Sequence, residues 1–255
     1  MKKQTTKKPA KNNKGEMSLL EHLDELRKRL TIAVIALLIG TLASLAVTKP
    51  VLKILVAPVK TTGAKIIYTG PTEAPSVYFT VALALGVVLA MPVILYQIFM
   101  YLRPGLTLNE RRYIIIGIPF ASLSFVGGVA FAVFVAIPNA ASFLTSFLND
   151  IGDHTYSARQ YLSFISSVML WLGLVFETPL VMFILARVGI ISPQGFSKAR
   201  RFVIIGAAVA AAVITPTPDI MNMLIIMGPF ILLYEIGILL ARLAQLGRDR
   251  AERAS

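Results

Sequence analysis

Few ionisable residues interrupt the long apolar runs of this sequence, and each can be asked what chemistry it would support. Glu177 lies in L-V-F-E-T-P-L, deep within an apolar block, and Pro179 follows two residues later. A charge at bilayer depth costs roughly 2.5–3.5 kcal/mol or more, so this acid should face protein or water. Pro179 cannot donate to the carbonyl of Val175, which leaves a kink and an open acceptor beside the carboxylate. Such an acid suits a titrating group or a polar contact; a hydrogen bond to a neighbouring helix is the plainer alternative. Glu25, in H-L-D-E-L-R-K-R-L (22–30), and Glu110, in N-E-R-R-Y, stand outside the apolar blocks. On its own Glu110 reads as a helix-start acid followed by two arginines. Glu235, in L-Y-E-I-G, is placed to pair with Arg242 or to snorkel, and Asp219 to cap the helix that follows it.

Catalysis is tested by elimination. Acyl transfer needs Ser or Cys beside His, yet cysteine is absent and His22 and His154, the only histidines, lie outside the apolar blocks. No G-x-S-x-G, H-E-x-x-H or phosphate-cradling glycine loop occurs. Asp219 has no second intramembrane aspartate to form a protease pair. The expectation is a non-enzyme without metal or cofactor.

These residues must be positioned by helices. Of 255 residues, 56% are hydrophobic and only 15% are charged, and several apolar blocks reach the roughly 20 residues that a bilayer core requires. That predicts an all-α integral membrane protein with its backbone satisfied inside helices. Six spans are read at 30–47, 77–102, 113–137, 160–186, 202–214 and 220–240. Long loops follow at 48–76, with a short interfacial helix over 51–59, and at 138–159, with a short helix before Asn149. Gly127-Gly128 mark a close helix approach in the third span. The fifth span, about 13 residues, is short for a crossing, so the T-P-T-P-D turn should sit below the membrane surface. Residues 1–16 read as a disordered basic tail, 17–242 as one transmembrane domain, and 243–255 as a polar tail.

The net charge of +12 is distributed by topology, which points to a membrane and not to nucleic acid. Of the 25 lysines and arginines, 20 lie in 1–30, 102–112, 187–201 and 242–255, and 5 lie in the loops 48–76 and 138–160. The positive-inside rule then predicts both termini in the cytoplasm.

Residues 15–30 predict an amphipathic helix leading into the first span. Leu19, Leu23, Leu26 and Leu30 share a stripe, Glu21, Glu25 and Arg29 flank it on one side, and Arg27 projects from the other. Ser18 and Glu21 fit a capping box. The spacing of Glu25 and Arg29 predicts an ion pair of about 0.2–0.5 kcal/mol. A solvated juxtamembrane helix accounts for this pattern unaided.

Motifs in order along the chain carry a more specific reading. H-L-D-E-L-R-K-R-L (22–30), A-P-V-K (57–60), M-P-V-I-L-Y-Q (91–97) and Y-L-R-P-G-L-T-L-N-E-R-R (101–112) are followed by F-E-T-P (176–179), I-T-P-T-P-D (214–219) and Y-E-I-G (234–237). Together they resemble the TatC family, the multi-spanning receptor subunit of the twin-arginine protein translocase. The resemblance implies a concave, glove-like six-helix bundle in a prokaryotic cytoplasmic membrane. It also implies a receptor for twin-arginine signal peptides and a scaffold for proton-motive-force-driven export of folded proteins. Single-span TatA/TatB-type subunits and further copies of the chain are the implied partners. Glu25 and Glu110 match the positions that bind the paired arginines, and Arg27 and Tyr101 match the same surface. Carboxylates accept forked guanidinium hydrogen bonds that lysine does not reproduce. Pro58, Glu177 and Asp219 match positions tied to structure or partner contact. Met223 stands where some members carry a polar glutamine. The rival reading is a proton-coupled small-solute transporter using Glu177, which calls for inverted repeats that the sequence does not show.

Overall fold

Helix formation follows the apolar blocks but runs further than proline and glycine punctuation suggests. The computed structural model describes residues 19–102, 108–146, 155–214 and 220–253. Helix α1 (Leu19–Thr61) carries the chain from one end of the bundle to the other. Strand β1 (Lys65–Ile67) follows, and α2 (Glu73–Leu102) returns. Helix α3 (Leu108–Phe131) passes through a π-helical turn, Ala132–Ala136, into α4 (Ile137–Ser146). After β2 (Thr155–Ser157), α5 (Ala158–Phe176) and α6 (Thr178–Val188) make the next return, and α7 (Pro193–Ile214) and α8 (Ile220–Arg253) complete the chain. Among the described residues, five helical stretches are long and apolar enough to cross a membrane: Leu20–Thr61, Glu73–Tyr101, Gly117–Ser146, Ala158–Val188 and Ile220–Gly247. The sixth crossing is α7, whose first turns are polar and basic.

Four boundaries differ from expectation. The first span does not end before Pro50; α1 continues through Pro50 and Pro58 to Thr61. A proline inside a helix loses one backbone bond and meets the preceding turn. Here Leu55 and Val59 are each 1% exposed, and the Tyr161 hydroxyl donates to the Leu55 carbonyl at 3.2 Å. Tertiary burial holds the helix that local preference would end. The third span likewise continues to Ser146, because a π turn absorbs the change of register ahead of Pro138. Helix α7 has 22 residues, not 13, because its basic first turns are helical too. At the C-terminus α8 stays helical to Arg253, beyond the apolar run. Start and cap expectations are partly testable: α1 begins at Leu19, next to the proposed Ser18 cap, while Ser18, residues 1–16 and Asp219 lie outside the described residues.

Antiparallel α1 and α2 are fastened along their length. Buried Ser44 donates to the Ala82 carbonyl at 2.6 Å, and Tyr78 donates to the Leu45 carbonyl at 2.5 Å. Between them Gly86 lies so close to α1 that an added Cβ would sit 2.7 Å from the Thr41 Cα and N. The second close approach is Gly128 against α5, where a Cβ would lie 2.5 Å from the Leu172 carbonyl oxygen. Gly127, beside it, is exposed. Phe125, Ile165, Met169 and Leu172 fill the centre of the bundle.

At the end opposite the described termini, β1 and β2 pair in parallel, Lys65 with Thr155 and Ile67 with Ser157. Buried Glu73 joins the two connections there. Its Oε1 accepts from the Ser157 hydroxyl at 2.6 Å and the Arg159 amide at 2.8 Å; its Oε2 accepts from the Thr69 hydroxyl at 2.8 Å and from the Thr69 amide. Replacing the carboxylate strands all four donors. Glu73→Ala is expected to lower the thermal midpoint by several degrees and to make residues 62–72 the first site of proteolysis. Limited proteolysis of wild type and variant side by side checks this.

Candidate functional site

The terminal end of the α1–α2 pair brings together the residues that the sequence placed on one charged flank. Glu25 sits at 22% side-chain exposure, and its Oε1 accepts from Arg29 Nε at 2.7 Å and a terminal Arg29 nitrogen at 2.6 Å. The other Arg29 nitrogen donates to Gln97 Oε1 at 3.1 Å, and Gln97 is 6% exposed. Oε2 of Glu25 has no partner among the described residues. Arg29 therefore fixes the carboxylate through one oxygen while bracing itself on α2. Such a carboxylate is pre-oriented to accept a further charge-assisted donor.

Tyr101 stacks on His22, with ring centroids 4.5 Å apart and planes 25° from parallel. That contact sets the height at which α2 ends against α1. Arg27 is exposed on the other side, and its carbonyl accepts from Thr31 at 2.8 Å. Glu110 lies in the first turn of α3, which starts six residues beyond the end of α2; its side chain lies outside the described residues. The leucine stripe faces outward: Leu23 and Leu30 are about 60% exposed. The charged flank, not the apolar one, packs against α2. Gln97 was not singled out from the sequence, and His22 was noted only as a histidine outside the apolar blocks. An uncharged amide within an otherwise apolar span was the available signal for Gln97.

A second group of polar atoms lies in the middle of the bundle. Glu177 closes α5 and opens α6, at φ −78° and ψ −12°, so the predicted kink is a break between two helices. The residue is 5% exposed, and neither carboxylate oxygen makes a hydrogen bond of good geometry among the described residues, although the Phe125 backbone lies towards the carboxylate. Buried and unpartnered acids of this kind are rare, because each oxygen forfeits its water. Met223 is partly buried against the core and Pro58 partly buried in α1.

Glu235 corrects an expectation. It pairs with Arg200 of α7 at 2.6 Å, not with Arg242, because Phe196 and Tyr234 hold α7 against that turn of α8. Both partners are 44% exposed. Exposed pairs contribute little, so Glu235→Gln should change stability by less than about 1 kcal/mol in thermal denaturation.

Comparison with known proteins decides the kinship. Residues 21–229 match the family model described as Sec-independent protein translocase protein (TatC). The chain belongs to the TatC family. The TatC of Carboxydothermus hydrogenoformans is 37% identical over 226 residues, 89% of this chain and 93% of that protein. Aquifex aeolicus TatC is 34% identical, covering 93% of this chain and all of that protein, and chloroplastic TATC of Arabidopsis thaliana is 34% identical over 89% and 67%. A crystal structure of a twin-arginine translocase receptor TatC superposes with a TM-score of 0.76 at 35% identity, covering 88% of this chain and 99% of that one. TatC is a translocase subunit family and not a family of enzymes. This chain is thus a six-helix, multi-pass membrane subunit of the Sec-independent translocase, with other Tat subunits as its partners.

Proposed function

We propose that this chain is the receptor of its translocase, binding the paired arginines of signal peptides at the terminal end of α1 and α2. The observation that carries this reading is the Glu25 carboxylate, held through one oxygen by Arg29 with the other unpartnered among the described residues. Glu110, at the start of α3, supplies the second acid, and Tyr101 and Arg27 border the same surface. Two carboxylates match two guanidinium groups in charge and in forked geometry. The lysine and arginine bias supports a reading in which this end faces the cytoplasm, and in a prokaryotic cell that is the side on which unexported cargo is met.

Glu177 is the contact for single-span TatA/TatB-type subunits, whose polar side chain would satisfy the unpartnered carboxylate within the membrane. Pro58, Asp219 and Met223 belong to partner contact or to its scaffold. Further copies of the chain complete a complex that exports folded proteins on the proton-motive force.

Site-specific photo-crosslinking tests the receptor reading. A signal peptide carrying Arg-Arg should label residues 20–30 and 101–112, and the Lys-Lys peptide should label them at least ten-fold less. Equal labelling by both peptides would end the assignment.

A further inference from the structure

Beyond the receptor surface, one cationic cleft has no role so far. Below the Arg200–Glu235 pair, α7 and α8 part to leave an open cleft of about 690 Å3, with Gln194, Ser197 and Lys198 on one wall and Arg242, Gln245 and Leu246 on the other. No acid lines it. Neighbouring cations are engaged elsewhere: Arg200 with Glu235, Arg201 over the Phe202 ring at 4.9 Å, and Arg187 with the Ala244 carbonyl at 3.1 Å. Among the described residues, Lys198 and Arg242 have no acidic partner. Two cations and three uncharged polar side chains therefore converge on one concavity.

An apolar track leads into it. Leu239, Leu243 and Leu246 are spaced at i, i+4 and i+7 on α8 and are 57%, 62% and 55% exposed. That spacing forms a single stripe, beginning at the end of the apolar run and finishing at the cleft. A free phosphate would have no use for such a stripe; a ligand with both an anionic head and acyl chains fits both parts. Basic pockets between helices on the cytoplasmic side suit anionic headgroups.

We propose that the cleft between α7 and α8 is a binding site for an anionic phospholipid. Lys198 and Arg242 hold the headgroup phosphate, and the acyl chains lie along Leu239, Leu243 and Leu246. The site is independent of signal-peptide recognition at Glu25.

The test uses the full chain in nanodiscs, with spin-labelled phosphatidylglycerol and phosphatidylcholine as probes. Wild type should favour phosphatidylglycerol by about thirty-fold, as two surface cations imply. The double variant Lys198→Gln/Arg242→Gln should approach parity, while Arg200→Gln retains the preference. Both side chains are exposed, and unchanged thermal midpoints confirm the fold of each variant. No preference in wild type, or an undiminished preference in the double variant, overturns the proposal. Millimolar inorganic phosphate should leave bound lipid in place; its displacement would reassign the cleft to a soluble anion.

Discussion

Glu25→Gln should weaken binding of an Arg-Arg signal peptide by about ten- to hundred-fold, the usual effect of losing a hydrogen bond to a charged acceptor. The substitution keeps shape and leaves one acceptor oxygen, so the loss reports charge. Two effects follow from the geometry. Arg29 loses its ion partner but keeps Gln97, and the helix should persist, since an i,i+4 pair contributes only about 0.2–0.5 kcal/mol. The approaching guanidinium then meets an uncompensated Arg29 in place of a paired one. Peptide affinity measured for Arg-Arg and Lys-Lys against wild type and variant closes a double-mutant cycle. The preference for arginine should collapse in Glu25→Gln, and Glu110→Gln should behave similarly. If the Arg-Arg to Lys-Lys ratio survives unchanged in both variants, neither acid reads the peptide. A loss confined to Glu25→Gln would leave Glu25 as the sole reader.

Gly86→Ala and Gly128→Ala should each destabilise the protein by about 1–3 kcal/mol, the usual cost of overpacking, lowering the thermal midpoint by about 3–10 °C. In both cases the added carbon meets backbone, which has no rotamer by which to retreat. At Gly86 it meets the Thr41 Cα and N at 2.7 Å; at Gly128 it meets the Leu172 carbonyl at 2.5 Å and the Gly173 Cα at 2.9 Å. Gly206 provides the control. Nothing lies within 4 Å of its Cβ position, so Gly206→Ala should be neutral or stabilising by up to about 1 kcal/mol through helix propensity. Three equal midpoints in a common detergent would contradict the close packing of α1 on α2 and of α3 on α5.

What the sequence disclosed was what local pattern encodes. Apolar length revealed the crossings, the four-residue spacing of Glu25 and Arg29 their ion pair, and Glu177 with Pro179 the break in the fourth crossing. Pro50 misled because its local penalty is outweighed by burial of Leu55 and Val59, residues whose neighbours lie a hundred positions away. The Lys65–Ile67 and Thr155–Ser157 strands were invisible for a related reason: three residues carry no periodicity, and their partners are ninety residues apart. Glu73 falls within the predicted 48–76 loop and carries no local signal of its role, which arises only where both connections fold over it. Glu110 was nominated by its motif alone, as a helix-start acid needs no further explanation. The Arg200–Glu235 pair escaped prediction because the alternative, Arg242, was nearer in sequence, whereas the packing of Phe196 on Tyr234 decides the register of α7 against α8.

The 43 residues of α1 make a rod about 65 Å long, longer than the roughly 40–45 Å of a whole bilayer with its headgroups. It is clasped on both sides of its middle, by Arg29 on Gln97 and His22 on Tyr101 towards one end and by Tyr161 on the Leu55 carbonyl towards the other. A rod held at several points moves with its neighbours as one body. Pro50 and Pro58, which withhold donors from the carbonyls of Ala46 and Ile54, are its compliant points, and both lie between Ser44 and Thr61. The part that carries Glu25 has no such joint, so bending of α1 is confined to the end away from Glu25.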